Sequence, residues 1–260
     1  VVPKKRIMGK IVGIIPARWG ATRFPGKALA LVADKPLIQH VWERCRLAER
    51  LARVIVATDD RRIAEVALAF GAEVAMTSPA HQSGTDRVAE VAADLPKNVS
   101  HILNIQGDEP TISPALIDRL AAELRRHRRL KMVTAANALR DFEQVRDPNC
   151  VKVALAKNGD ALYFSRSVIP HSFGSDLPGT PLTYYRHQGI YGYERRFLAR
   201  FVRWKPSDYE RIEKLEQLRA LHHGVPIRVL VTEHESRGVD SPADVAEVEA
   251  QLAAEGLPAS

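Results

Sequence analysis

The sequence predicts an α/β fold: a mainly parallel β-sheet covered by helices on both faces, joined to a smaller antiparallel segment. Three observations predict it. Strand and helix signals alternate through the first 138 residues. The strand-like runs are apolar at successive positions, as strands buried on both faces must be. From residue 149 to residue 193 the rhythm changes to short strand-like runs joined by Gly- and Pro-rich connections. Strand–helix alternation specifies a parallel sheet with right-handed crossovers.

The elements follow in order. Residues 11–16 (IVGIIP) are a short apolar run ending in proline, a buried strand. Over residues 36–49 the apolar positions Leu37, Ile38, Val41, Cys45 and Ala48 have a helical period. Residues 53–58 (RVIVAT) are the next strand, and 61–70 a helix stopped by Gly71. A short strand at 73–76, a helix at 84–93 and a strand at 101–106 (HILNIQ) come next. Ser113 then caps a helix with Pro114 in its first turn, where the missing N–H costs nothing. Residues 132–138 are another strand. In the 149–193 segment, residues 151–155, 161–164 and 189–193 read as strands, and Asn158-Gly159 is a hairpin signal. Residues 172–181 are a loop. Ser207 and Glu210 form a capping box that opens a helix over 207–221. A strand at 227–231 and a helix started by Ser241, Pro242 and Asp244 close the chain.

Composition narrows the functional classes. With 260 residues, 45% hydrophobic and 27% charged, the chain is expected to form one large domain or two small ones, and not a disordered segment. The boundaries read as a single domain over 10–252, with 149–193 an antiparallel insertion and 1–9 a basic leader. No apolar run approaches the ~20 residues of a membrane helix. The leader lacks the apolar core of a secretory signal. Two distant cysteines, Cys45 and Cys150, suggest neither a disulfide framework nor a zinc site, so a reducing cytoplasm is expected. The net charge of +7 permits an anionic partner. Its densest run, residues 125–131, closes a helix, where it complements the helix dipole. No recognition helix or aromatic–basic stripe appears, so nucleic acid is not the expected partner.

In parallel sheets, ligands sit at the carboxyl ends of the strands. Five segments there carry candidate chemistry. Residues 16–27 (PARWGATRFPGK) place Arg18, Arg23 and Lys27 in a loop after the first strand, a set suited to a triphosphate. This loop is neither a dinucleotide fingerprint nor a P-loop. Residues 104–110 (NIQGDEP) present Asp108, whose carboxylate can hold Mg2+ shared with substrate phosphates. Asp240, in GVDSP, is a possible second ligand 132 positions on. Ser83 in SGTDR opens a helix facing the same edge. Residues 186–193 (RHQGIYGY), with Glu216-Gln217, offer partners for a hydroxyl-rich or acidic substrate. Each also has a plain structural reading in isolation: a basic surface loop, a Gly-Asp turn, a helix-start acid, a capped helix, core tyrosines with a satisfied histidine.

Taken together, the segments PARWGATRFPGKAL, VATDD, HQSGTDR, NIQGDEP, DPNCVKV, ALYFSRSVIP, RHQGIYGY, EKLEQLR and GVDSP resemble, in order, the 3-deoxy-manno-octulosonate cytidylyltransferases, or CMP-Kdo synthetases. The first motif is shared with other sugar nucleotidyltransferases; QSGTDR, YFSR, GIYGY and LEQLR are more particular to this branch. The resemblance implies a Rossmann-like sheet with a dimerising insertion, in a cytoplasmic homodimer. It implies transfer of CMP from CTP to the 2-hydroxyl of Kdo with Mg2+, releasing pyrophosphate, for lipopolysaccharide synthesis. By position, Arg18 and Lys27 would bind the CTP phosphates, and Asp108 and Asp240 the metal. Ala17, Ser83 and Gln106 would lie at the nucleotide. Arg87, Gln106, Arg166, His187, Tyr191, Glu216 and Gln217 would surround the sugar acid. Two positions depart from the pattern: Gln188, where an apolar residue is expected, and His222-His223, where one polar or aromatic residue is usual. Gln188 raises the alternative of a related acidic sugar, such as the 8-amino analogue of Kdo.

Overall fold

The structure, a computed structural model, describes residues 9–20, 24–172 and 183–254. Arg23, residues 1–8 of the leader and most of the 172–181 loop therefore lie outside the described residues.

The first described strand is β1 (Lys10–Ala17), whose apolar residues point to both faces. A 3-10 turn (Lys27–Leu29) and a small hairpin, β2 (Leu31–Val32) and β3 (Lys35–Pro36), lead into α1 (Leu37–Arg46). Then come β4 (Arg53–Thr58), α2 (Arg61–Ala69), β5 (Glu73–Met76), α3 (Gly84–Asp94), β6 (Val99–Asn104), α4 (Pro114–Arg126) and β7 (Met132–Leu139). The second half adds α5 (Phe142–Arg146), β8 (Lys152–Leu155), β9 (Ala161–Ser165), β10 (Tyr184–Glu194), α6 (Arg195–Phe201), α7 (Asp208–Glu213), α8 (Leu218–His222), β11 (Ile227–Thr232) and α9 (Asp244–Ala254).

Among the described residues nine strands join one sheet, with the path β11-β7-β10-β6-β1-β4-β5 and the β8–β9 hairpin attached to β10. The pairs β1–β4, β1–β6, β4–β5 and β7–β11 are parallel. β10 is antiparallel to both neighbours, β6 and β7. The mainly parallel sheet expected from the sequence is thus present, and residues 189–193 lie in its middle as part of a strand that starts at Tyr184. β10 carries pairing across into the β8–β9 hairpin through Arg186 and Lys152. A glycine makes that central position possible. A Cβ on Gly192 would come within 2.7 Å of Leu103, Leu124 and Val133.

Two apolar layers sandwich the sheet. Ile11 and Ile15 of β1 join Val41 and Cys45 of α1, Ile63 of α2 and Leu116 and Leu120 of α4 on one face. Val12 and Ile14 join Val88 and Val91 of α3 and Phe197 and Phe201 of α6 on the other. Each such fully buried aliphatic side chain contributes about 1.5–3 kcal/mol. A third small cluster packs Val248 and Leu252 of α9 with Val32, Leu37 and Val239. It holds α9 against the β2–α1 segment and Val239, next to Asp240.

The structure also corrects the element expected over 207–221. The helix expected over 207–221 is two short helices, α7 and α8, broken where Lys214 takes a left-handed conformation with φ 56°. The capping box of Ser207 and Glu210 is present and opens α7. The break has a cause. Ser165 Oγ and the Arg166 N–H donate to the Glu213 carboxylate at 2.6 and 2.9 Å, and Arg166 Nε donates to the Glu213 carbonyl at 2.8 Å. Anchoring Glu213 to β9 in this way is incompatible with a continuous helix, and it turns residues 214–217 toward the sheet edge. Helices α5 and α6 were not expected; Asp141 caps the first by accepting from the Glu143 N–H.

Candidate active site

At the carboxyl end of β1 the chain must leave the sheet and return. Gly26 allows the return: its φ is 72°, and its Cα lies against the Trp19 ring, leaving no room for a Cβ. Its N–H donates to the Trp19 carbonyl at 2.9 Å. The Arg62 guanidinium covers the same indole. This loop sets Lys27 beside the end of β6. Gly107 is equally constrained, because a Cβ there would meet the Pro16 carbonyl oxygen at 2.9 Å. The two strand ends can approach only without that atom, and Asp108 is thereby placed opposite Lys27.

Lys27 Nζ donates to Asp108 and pairs with Asp240 Oδ1 at 3.3 Å, and it also donates to the Val239 carbonyl at 3.3 Å. Burial by itself lowers the pKa of Lys27, but the charges and hydrogen bonds of Asp108 and Asp240 outweigh it and leave it raised. Two carboxylates distant in sequence thus converge on one point. Asp240 arrives there because the Val239 N–H donates to the Asp108 carbonyl at 2.8 Å, while the Val239 side chain is fully buried.

These groups line a cleft of about 370 Å³. Ala17, Arg18, Lys27, Ser83, Arg87, Gln106, Asp108 and Asp240 all border it. The structure therefore gathers every residue the sequence reading gave to the nucleotide and metal, and Arg87 besides. Two of them have further work. The Ser83 hydroxyl caps α3 by accepting from the Asp86 N–H at 3.1 Å, and its own N–H donates to Asp86 at 3.2 Å. Arg87 is only 3% exposed. Its guanidinium donates to Asp59 at 3.0 Å and to Thr77, so it ties α3 to the ends of β4 and β5 while facing the cleft.

His187, Tyr191 and Glu216 form a second group with Thr85. The rings of His187 and Tyr191 pack at a tilt of 40° with centroids 5.3 Å apart, and Phe164 packs edge-on against His187 at 5.0 Å. The Thr85 hydroxyl donates to Glu216 and accepts from Asn104 Nδ2 at 3.3 Å. Burial raises the pKa of Glu216 against the lowering effects of Thr85 and Arg219. Gln217 is 4% exposed with a buried Nε2 that no acceptor among the described residues meets. His187 has a definable tautomer. The Thr134 hydroxyl donates to the Ile190 carbonyl at 2.7 Å, so it must accept from His187 Nε2 at 3.0 Å. Nδ1 is left as the acceptor. Arg166 stands apart from the cleft, held by Glu213 and by the Pro148 carbonyl at 2.9 Å.

The two groups meet. Thr85 lies in the first turn of α3, whose cap Ser83 and residues Gly84 and Arg87 border the cleft. A Cβ on Gly189 would lie 3.3 Å from Gln106, so β10 touches the cleft there as well. The sequence reading did not single out Thr85 or Asp59. Both sit inside recognised motifs, SGTDR and VATDD, and only their contacts distinguish them from neighbouring polar residues. Gln188 does not join either group. It is 3% exposed, and its amide donates to Asn137 and to the His234 carbonyl. His222 and His223 lie elsewhere, with His223 stacked on Trp204 at 4.0 Å.

No thiol serves the cleft: neither cysteine borders it, and both are free. Among the described residues no three His, Cys, Asp or Glu side chains form a metal cluster. The Asp108–Asp240 pair does fit a hard cation that takes its remaining oxygens from water and a bound polyphosphate.

Comparison with known proteins places this geometry. The cytidylyltransferase family matches residues 12–228. A protein of Leptospira biflexa named 3-deoxy-manno-octulosonate cytidylyltransferase is 47% identical, over 95% of this chain and 98% of its own. One of Geobacter metallireducens with the same name is 48% identical, over 94% and 98%. The solved structure of a CMP:2-keto-3-deoxy-manno-octonic acid synthetase complexed with CTP superposes with a TM-score of 0.88 at 39% identity, covering 95% of this chain and 99% of that one. The 4-diphosphocytidyl-2C-methyl-D-erythritol synthase of Anaerococcus prevotii shares the fold alone, with a TM-score of 0.63 at 13% identity. Motif order, sheet topology and these likenesses agree: the chain belongs to the cytidylyltransferase family, among the 3-deoxy-manno-octulosonate cytidylyltransferases.

Proposed function

We propose that this protein transfers CMP from CTP to the 2-hydroxyl of Kdo and releases pyrophosphate, supplying an activated sugar for lipopolysaccharide assembly. The observation that carries the reading is the meeting of the Lys27–Asp108–Asp240 cleft with the His187–Tyr191–Glu216 group at Thr85 and Gln106. One side suits a triphosphate and the other a hydroxyl-rich acid, and a transferase needs both at contact distance.

In this reading Arg18 and Lys27 counter the triphosphate charge and the charge that develops on the leaving pyrophosphate. Asp108 and Asp240 would hold Mg2+, which supplies charge neutralisation on phosphate oxygens and acidifies the attacking hydroxyl. Ala17, Ser83 and Gln106 border the nucleotide. Tyr191, Glu216, Gln217 and the Nδ1 of His187 offer hydrogen bonds that orient the sugar, and the Gln217 amide gains the acceptor it otherwise lacks. Arg87 faces the sugar acid from α3. Arg166 has its place at the far edge, its guanidinium largely committed to backbone carbonyls. The 2-hydroxyl oxygen bonds to the α-phosphorus as the bond to the β-phosphate oxygen breaks, and the hydroxyl proton goes to solvent. No enzyme nucleophile takes part.

We also propose that the protein works in the cytoplasm as a homodimer. Among the described residues no helix is long and apolar enough to cross a membrane. Helix α7 buries none of its residues in the single chain.

The test is pyrophosphate release with CTP, Mg2+ and Kdo, with the 8-amino analogue in a parallel arm and ATP, GTP and UTP as controls. Release with CTP and Kdo is expected. Release with the amino sugar alone would move the substrate and keep the chemistry. Asp108→Ala and Asp240→Ala should each lose several orders of magnitude in rate with the fold intact by circular dichroism. An active Asp108→Ala enzyme at ordinary Mg2+ would overturn its assignment.

A further inference from the structure

Asp240 is carried by a loop with no strand or helix of its own between Thr232 and Asp244. Such a segment holds a carboxylate in place only if other groups fix its backbone. Two buried polar residues do so. Thr111, fully buried and three residues after Asp108, accepts the Arg237 N–H on its hydroxyl at 2.9 Å. The same hydroxyl lies 3.4 Å from the Arg237 carbonyl. The Thr111 carbonyl accepts from His234 Nε2 at 2.7 Å. From β10, Gln188 Nε2 donates to the His234 carbonyl at 2.7 Å and to Asn137 Oδ1 at 3.2 Å. His234 is therefore gripped at its ring by the Asp108 loop and at its backbone by β10.

We propose that Thr111 and Gln188 are positioning residues for Asp240, locking the 233–239 loop to the Asp108 loop so that the two carboxylates stay convergent. The inference rests on the reading of Asp108 and Asp240 as the metal pair. It gives Gln188 a role away from the sugar. His187 packs its ring on Phe164 and Tyr191, while the next residue, Gln188, reaches the 233–239 loop, as alternation along a strand requires.

The test uses Thr111→Val, Thr111→Ser and Gln188→Leu in the full chain. Mn2+ is titrated in the presence of CTP without sugar, free Mn2+ is read by electron paramagnetic resonance, and CTP alone is the blank. Thr111→Val and Gln188→Leu should weaken metal binding roughly ten-fold, as loss of outer-shell partners does. The Mg2+ concentration for half-maximal rate should rise in step, with kcat at saturating Mg2+ and the KM for CTP unchanged. Thr111→Ser should restore binding. A lowered melting temperature with unchanged Mn2+ affinity in both variants would mean a structural role only and would overturn the proposal. Asp240→Asn separates the two levels. If it binds Mn2+ as the wild type does, Asp240 is not a ligand, and the proposal falls with that assignment. If it loses Mn2+ while Thr111→Val and Gln188→Leu keep it, only the positioning role falls.

Discussion

The buried imidazole of His187 couples its protonation to folding. Burial, with the nearby Arg186 charge, lowers its pKa to about 3, so the folded protein keeps it neutral where an unfolded chain would protonate it. The sign follows from linkage. Between about pH 6.5 and 3 the unfolded state binds a proton that the folded state does not, so stability falls as pH falls through that window and is fully present above it. His40 and His101 are lowered by burial as well and act in the same direction. Replacing His187 by Asn should therefore flatten the acid limb of stability against pH, by up to about 1.4 kcal/mol per pH unit. Urea unfolding at several pH values measures it, and an unchanged limb would show that His187 is charged in the fold. At this scale the sequence was legible where a residue's place alone suffices. Lys27, Asp108 and Asp240 each follow a strand, so the sheet edge collects them. Thr85, Asp59 and Thr111 were not legible, because a hydroxyl or carboxylate acquires its role from a partner that only the tertiary fold supplies. Gln188 departs from the motif in sequence, yet its direction depends on the β10 register, which no local pattern fixes.

At the scale of elements, periodicity worked for the long buried pieces and failed where tertiary contacts overrode it. The strands at 53–58 and 73–76 and the helix starting at Pro114 lie where expected. The β2–β3 hairpin turns through Ala33 and Asp34, both with positive φ; Asp tolerates that conformation, but Ala33 carries no turn signal, so the pair does not read as a hairpin in sequence. The single helix expected over 207–221 has an unbroken pattern in sequence; anchoring of Glu213 by Ser165 and Arg166 breaks it. The central place of β10 was hidden for a related reason. A strand with glycines reads as a weak one, whereas here Gly192 is what lets helix α4 and strands β6 and β7 close over it. Gly192→Ala should accordingly cost about 1–3 kcal/mol through overpacking, seen as a lower urea midpoint. Gly20→Ala is the control, since a Cβ there meets none of the described residues within 4 Å. Equal midpoints for the two variants would mean that the sheet yields freely around β10.

For the whole molecule, the question is what an unpartnered surface does to the site behind it. Scattered exposed apolar residues are ordinary, but Tyr209 and Ile212 are three apart on α7, on one face of it, and are 54% and 80% exposed. The same helix leads through Lys214 into Glu216 and Gln217. It ends at Glu213, the residue that fixes Arg166 and Ser165. A second copy seated on α7 would thus hold the proposed sugar side of the site from outside, while the proposed nucleotide side, built on β1, β6 and α3, depends on the sheet alone. The proposed dimer then makes an asymmetric prediction. Ile212→Glu should shift the protein to monomer in sedimentation equilibrium, because a buried unpaired carboxylate opposes association. It should raise the KM for Kdo and lower kcat while leaving the affinity for CTP in place, since α7 supplies nothing to the cleft around Lys27 and Asp108. A monomer with unchanged Kdo kinetics would show that α7 and the sugar site are energetically separate. A dimer that survives the substitution would place the contact between copies on another face.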